Sequence, residues 1–462
     1  MIPLSLAAVA EITGARLHLV PDPGAVVADS VVIDSRAAGP GSLFAALPGQ
    51  RADGHDFAAA AVAAGSVAVL ASRPTDAPTL IVTDVPAAMA RLARTVVDRL
   101  PGLAIAGITG SVGKTTTKDL AAQLIEPLGH TIAPQGSFNN EIGHPLTVLR
   151  AAADTRYLVL ELSARGAGHI AALCEVAPPA LGVVLRVAYA HAGEFGGLAE
   201  VARAKGELPA ALPAHGVALL NADDPHVLAM AQRTAARVVT FGTGPQAMVR
   251  AQDVRLDEQG RPEFTLVAPE GSAPVRLRLF GEHNVVNALA AAALACELGL
   301  DVAAAAAGLS TATARSRWRM EVTQRPDGVT VINDAYNANP EAMAAAIGTL
   351  AAMAAGRRAY AVLGPMYELG GESWAQHEEV GRLAAQAGVE GLIVVGEDAS
   401  PILAGAKAER SWRGELLAVP DVGSAVEALG ALLRPGDAVL VKASRSAGLE
   451  RVALALTGEA GQ

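Results

Sequence analysis

The sequence predicts an α/β protein of three domains: a small N-terminal α/β unit, a central unit with a mostly parallel sheet, and a C-terminal α/β unit. Three observations carry this. The chain has 462 residues, about three times a common domain length of roughly 150. From residue 103 onward, short apolar runs alternate with helical stretches, the signature of a doubly wound sheet. Pro101-Gly102 marks the boundary before the alternation, and the Arg-rich run 314–321 interrupts it, which places the domains at 1–100, 101–313 and 314–462.

In the first domain, residues 30–36 (SVVIDSR), 66–71 (SVAVLA) and 79–83 (TLIVT) read as strands. Residues 55–65 and 86–100 read as helices, and the stretch between the first strand and first helix is a Gly/Pro-rich loop. In the second, 103–110 (LAIAGITG), 157–162, 180–187, 216–221 and 238–242 are apolar strands, and 285–298 is an Ala-rich helix. In the third, VTVINDAY, RAYAVLG, GLIVVG and AVLVKA are strands between helices. That order is Rossmann-like, but its glycines do not form GxGxxG, so no dinucleotide is inferred.

Composition excludes several classes. Charged residues make up 18% and apolar ones 51% of the chain, which implies a folded globular protein. Aromatics are 3%, so the core must rest on Ala, Val, Leu and Ile. The balance of 36 basic and 46 acidic residues, −10, disfavours a nucleic-acid coat or an anionic membrane as partner. No uncharged run approaches the ~20 residues of a spanning helix; the longest candidate, 57–72, contains Gly65. The opening run MIPLSLAAVAEITG has no basic n-region and meets Glu11 early, so it does not read as a signal peptide. Cys174 and Cys296 are too few for a disulfide framework or metal cluster and are expected as buried apolar residues. A soluble, cytoplasmic, monomeric protein is expected.

The strongest motif is GITGSVGKTTTKD, 107–119. It follows a strand and opens a helix, the context a phosphate-binding P-loop requires. Backbone N–H groups from Gly110 through Ser111 and Gly113 to Lys114 can wrap phosphates. Lys114 would neutralise the β/γ-phosphates, Thr115 would offer its hydroxyl to Mg²⁺, and Thr116 follows on the same turn. The match is loose at its start, where Ile108 stands in place of the first glycine. By itself the loop leaves a GTPase-type switch, a motor or transport ATPase, and a ligase open. Glu161, at the C-terminal end of the next parallel strand, is placed as a second Mg²⁺ ligand. His191 follows the strand after that, and Lys205 lies on a probable helix.

Taken together, these segments resemble the Mur ligase family of peptidoglycan synthesis over essentially the whole chain. The resemblance runs in order through IDSRAAGPGSLFAALPGQRADGHDF, GITGSVGKTTTKD, GSFNNEIGHPLTVL, RVAYAHAGEFGGLAEVARAKGEL, NADDP, GEHNVVNALAAAALA, INDAYNANPEAM, VLGPMYELG and VLVKASRSAGLERV. It is strongest to the branch that adds D-alanyl-D-alanine to UDP-N-acetylmuramoyl-tripeptide, since the DNPR motif of the preceding ligase is missing. It implies an ATP-dependent amide ligase working through an acyl phosphate, with a uridine-nucleotide domain first, an ATP domain second and a ligase domain third.

The resemblance also implies roles. Thr115 and Glu161 would hold one Mg²⁺, and His191 with a carbamylated Lys205 a second; Lys114, Lys205 and His191 would serve catalysis. Asn284 and Asn287, with His283, would line the adenine pocket. Arg319 and Asp334 would reach the γ-phosphate and ribose, and Asn337 and Asn339 would border the nucleotide. Ser35, Arg36, Gly49, Asp53, Gly54 and His55, with Asn139 and Asn140, would take the UDP-sugar-peptide. Lys442 and Ser444 would face the peptide. Two positions depart from the family pattern: Ser163 replaces a glycine after the metal glutamate, and Pro365 replaces an acidic residue in the LGPM turn.

Overall fold

The structure, a computed structural model, describes residues 1–49, 52–188 and 197–459. His191 lies outside the described residues. Three sheets follow one another along the chain, besides a two-stranded ribbon at the start. The first is built from β1 (Arg16–His18), β2 (Val31–Val32), β3 (Leu43–Ala45), β4 (Ala68–Ala71) and β5 (Thr79–Ile81), in the order β1-β5-β4-β3-β2. Only β1 runs antiparallel. The strand expected over 30–36 stops at Val32. Asp34 accepts the backbone N–H of Arg36 and caps a 3-10 turn over Ser35–Ala37, because a short side-chain acceptor competes with the ladder for that donor. The helix expected over 55–65 is likewise split into a 3-10 turn, Gly54–Phe57, and a short α-helix, Ala58–Ala63.

Helix α1 (Val85–Asp98) joins the first domain to the second. Asp84 caps it and Pro86 occupies its first turn, as a helix start prefers. Its buried stripe, Met89, Leu92 and Val96, belongs to one continuous apolar cluster. That cluster includes Leu43 and Leu80 from the first sheet and Leu158 and Leu160 from the second. The two domains therefore share a core.

The second sheet comprises β6 (Ala104–Thr109), β7 (Thr131–Ile132), β8 (Tyr157–Glu161), β9 (Leu181–Val184), β10 (Val217–Asn221), β11 (Arg237–Gly242), β12 (Val249–Leu256), β13 (Pro262–Ala268) and β14 (Gly271–Arg276). Their order is β14-β13-β12-β11-β10-β9-β6-β8-β7. Pairing is parallel from β7 through β12 and antiparallel in β12-β13-β14. The parallel strands are apolar on both faces because helices cover both. The meander over 249–276 was not expected from the sequence. Its strands carry charged residues on the open face, such as Arg255 paired with Glu263, which dilutes the apolar signal.

Helix α2 (Lys114–Ile125) follows β6, α3 (Leu198–Lys205) precedes β10, and α4 (Asn284–Glu297) packs against α2 beneath the sheet. The run Ala290–Ala293 is fully buried in that contact. Their small side chains fit a close helix–helix approach.

The third sheet, β15 (Glu321–Gln324), β16 (Thr330–Asn333), β17 (Ala359–Leu363), β18 (Gly391–Val395), β19 (Glu415–Val419) and β20 (Ala438–Lys442), has the order β15-β16-β20-β17-β18-β19. All pairs are parallel except β15-β16. Helix α5 (Pro340–Met353) follows β16, with Asn339 as its cap. The segment entering this domain is stitched to α2. Gln123 exchanges two hydrogen bonds with the Thr313 backbone, Asp119 accepts from Ser316 N, and Arg315 pairs with Glu126. Among the described residues no helix is long and apolar enough to cross a membrane. Cys174 is buried as expected, whereas Cys296 is half-buried; both are free.

Candidate active site

A cavity of about 1220 Å³ opens where the three domains meet. The first domain contributes Ile33, the second the loop after β6, and the third Arg319, Asp334 and Asn337. Strand β6 delivers the chain to a glycine turn, and α2 begins at Lys114. Gly113 adopts φ +84°, and a Cβ there would meet Asn287 Oδ1 at 2.3 Å. Only glycine fits, because the left-handed region penalises a side chain and α4 fills the space beside it. Gly113→Ala is therefore expected to weaken nucleotide binding and lower the melting temperature together. Calorimetry with ADP and a thermal melt check this.

Ser111 ties the turn to the loop after β9. Its N–H donates to Arg186 O at 2.8 Å and its hydroxyl donates to Ala188 O at 3.0 Å. Lys114 Nζ donates to Gly110 O at 2.7 Å. Burial lowers its pKa, Glu161 opposes that shift, and Arg319 adds to it. Thr116 lines the cavity, while Thr117 reaches Asn287 Oδ1 at 3.4 Å. Asn287 in turn donates to Asn284, and Asn284 to Phe280 O. These two asparagines, with His283, form one wall.

Thr115 and Glu161 are both nearly inaccessible, and Thr115 Oγ1 donates to Glu161 Oε2 at 2.9 Å. A carboxylate and a hydroxyl beside a phosphate loop are the oxygen donors Mg²⁺ takes, so this pair fits the ion. Asn139 was expected to face the sugar-peptide substrate. It lines the cavity, and its Nδ2 donates to Glu161 Oε1 at 2.7 Å and fixes the carboxylate. Asn140 Oδ1 accepts from Ile142 and Gly143 and shapes the turn into the next helix. Among the described residues no cluster of three or more His, Cys, Asp or Glu could hold a metal.

Arg319 enters from the third domain. Its Nη2 donates to Ser137 Oγ at 2.8 Å, and its guanidinium lies 4.2 Å from the Tyr336 ring centre. Trp318 and Met320 on either side have φ +59° and +50°, a conformation costing about 1–3 kcal/mol each at bulky residues. Glu321 caps Trp318 N and Asp334 caps Met320 N, both at 3.0 Å, which holds the strained arch. Asp334 also pairs with Lys442, whose ammonium donates to Asn337 O at 3.0 Å. Lys442, expected to face peptide, is thus engaged with the ribose candidate. Ser444 Oγ accepts from Tyr367 N at 3.0 Å and does not line the cavity.

Lys205 ends α3 and is buried. Desolvation, helped by the charge of Lys114, pushes its pKa down to about 7. The sugar-nucleotide candidates form a separate group on the first domain; Ser35, Arg36, Gly49, Asp53 and His55 do not line the cavity. Asp53 Oδ1 accepts from His55 N at 3.0 Å and meets His55 Nδ1 at 2.6 Å. The His55 contacts hold the Asp53 carboxyl down to about 2. Gly49 N donates to Ala52 O at 2.9 Å, and a Cβ on Gly54 would meet Leu47 backbone at 2.7 Å. Arg36 folds back on Asp34 at 2.6 Å.

Family models match three consecutive stretches: the Mur ligase family catalytic domain over 28–104, the Mur ligase middle domain over 108–295, and the Mur ligase glutamate ligase domain over 318–445. The chain belongs to the Mur ligase family. It is 50% identical to the UDP-N-acetylmuramoyl-tripeptide--D-alanyl-D-alanine ligase of Mycobacterium bovis, over 99% of this chain and 98% of that one. The crystal structure of MurF from Acinetobacter baumannii superposes with a TM-score of 0.86 at 30% identity, covering 99% of both chains. MurF ligase from Thermotoga maritima in complex with ADP gives 0.79 at 29% identity, covering 94% of this chain and 98% of that one.

The two departures from the Mur ligase pattern are accommodated locally. Ser163 N donates to Asn139 O at 3.0 Å, tying the asparagine turn to the end of β8. Pro365 O accepts from Ser444 N at 2.9 Å. Sequence reading missed Ser137, Trp318, Met320 and Tyr336. A serine in a loop carries no spacing rule, and positive φ at Trp or Met follows from packing alone.

Proposed function

We propose that the cavity performs an ATP-dependent ligation joining D-alanyl-D-alanine to UDP-N-acetylmuramoyl-tripeptide, with ADP and phosphate as products, in peptidoglycan precursor synthesis. The observation that carries this is the full-length match to ligases of that name, combined with a P-loop facing an arginine from another domain. In the first step a tripeptide carboxylate oxygen attacks the γ-phosphorus. The bond to the β-phosphate oxygen breaks, leaving an acyl phosphate and ADP. In the second, the free amine of D-alanyl-D-alanine attacks the acyl carbon. The tetrahedral intermediate expels phosphate, and the nitrogen loses its proton.

Both steps join anionic or crowded groups, so positioning and charge stabilisation are the main contributions. Lys114 and Arg319 approach the phosphates from opposite domains. Asn139 keeps Glu161 oriented, and Asp334 and Asn337 take the ribose side. Mg²⁺ held by Thr115 and Glu161 would supply charge neutralisation at the phosphates. Lys205 is assigned as a carbamate that replaces a buried cation with an anionic oxygen ligand; its depressed pKa supports this, since only the neutral amine adds CO₂. His191 would complete that second metal position. The Asp53–His55 turn with Ser35, Arg36 and Gly49 is assigned to the uridine end of the substrate.

We place the domain boundaries at 1–100, 101–313 and 314–462 and the enzyme in the cytoplasm as a monomer. Purified protein should release phosphate only when ATP, the tripeptide nucleotide and D-alanyl-D-alanine are all present. Testing tripeptides ending in lysine or diaminopimelate identifies the preferred one. Phosphate release with a different amine acceptor, and none with D-alanyl-D-alanine, would refute the assignment.

A further inference from the structure

Ser137 stands between the metal ligand and the arginine of the other domain. Its Oγ lies 3.0 Å from Thr115 Oγ1 and accepts from Arg319 Nη2 at 2.8 Å. Thr115 Oγ1 lies 2.9 Å from Glu161 Oε2. The direction of each proton follows from the donor inventory. A carboxylate only accepts, so the single hydroxyl proton of Thr115 goes to Glu161. Thr115 must then accept from Ser137. Arg319 only donates, so Ser137 accepts from it. The chain runs Arg319 to Ser137 to Thr115 to Glu161, each bond polarising the next.

This arrangement opposes a cation at Thr115. The Ser137 proton points at the oxygen the ion needs, and the Arg319 charge stands behind it. The Thr115 proton fills an oxygen of the carboxylate that would share the ion. Arg319 Nε is buried and has no partner among the described residues.

We propose that Ser137 is a placeholder: its hydroxyl links Thr115 to Arg319, competes with the metal for Thr115 and must be displaced when the metal–nucleotide complex binds. The inference rests on the P-loop being the nucleotide site. It makes Ser137 a positioning residue whose hydroxyl competes with the metal, rather than a ligand.

The test is calorimetry of ADP binding with Mg²⁺ and with EDTA, on the wild type, Ser137→Ala and Ser137→Thr. Losing one competing hydrogen bond should tighten binding of Mg·ADP to Ser137→Ala about fivefold, with ADP in EDTA unchanged. Ser137→Thr, which keeps the hydroxyl, should match the wild type. A merely structural serine would move the Mg²⁺ and EDTA affinities alike. Equal or weaker Mg·ADP binding by Ser137→Ala overturns the placeholder. Failure of the wild type to bind ADP at all would instead overturn the nucleotide-site reading beneath it.

Discussion

Lys205→Ala should reduce ligation by about 10²–10³-fold, the usual cost of losing one placed electrostatic group at a reacting centre. A short carboxylic acid such as acetate or propionate should restore part of the rate, because it can supply the anionic oxygen the carbamate would provide. Full activity without rescue would sink the carbamate assignment. Lys205 is buried, and both desolvation and Lys114 disfavour its charged form. An ammonium there is poorly tolerated, whereas an anion would face a cation.

The pH dependence has a definite sign. The amine is neutral above about pH 7 and adds CO₂ there. Below that value protonation removes the nucleophile, so activity should fall on the acid side, and added bicarbonate should move the fall to lower pH. For the unmodified lysine, the unfolded chain stays protonated up to its ordinary value of about 10.4. The unfolded state therefore binds more protons between about pH 7 and that value, and Lys205 makes stability rise with pH across the window. Melting temperatures of the wild type in CO₂-free buffer, compared with Lys205→Ala, isolate that contribution.

Arg319→Ala should lower kcat by about 10³-fold, the low end of what an arginine opposite a transferring phosphoryl group supplies. ADP affinity should change far less, because ADP lacks the γ-phosphate. Arg319→Lys should recover only part of the rate, since an ammonium cannot reproduce the planar fork that meets phosphate oxygens while lying against Tyr336. Steady-state phosphate release and ADP calorimetry on the same samples separate these effects. An alanine variant that keeps more than a tenth of kcat would remove Arg319 from the phosphoryl-transfer step. The strained residues Trp318 and Met320 on either side argue for a placed group. Strain of that kind persists only where surrounding bonds over-determine it, and here Glu321 and Asp334 supply them.

Much of this was legible in order along the chain. Strand β6, the glycine turn and α2 announce themselves because a buried parallel strand is apolar on both faces and a phosphate loop needs glycine at one φ. Thr115 and Glu161 followed from their places at a helix start and a strand end. The Ala-rich α4 was readable as a helix, though not as the partner of α2. The 249–276 meander was not legible, because its open face is polar.

What the sequence by itself determined is local: the α/β class, the P-loop, the order of the motifs and the residue types able to meet phosphate and Mg²⁺. Each depends on neighbours within a few positions. What only the tertiary structure decided is which of those residues touch. Asn139 bonds to Glu161, Lys442 pairs with Asp334, and Ser137 joins Thr115 to Arg319. The last link spans 182 positions of chain. Sequence spacing cannot specify such a contact, because it exists only once the shared core and the stitched linker have brought the domains together.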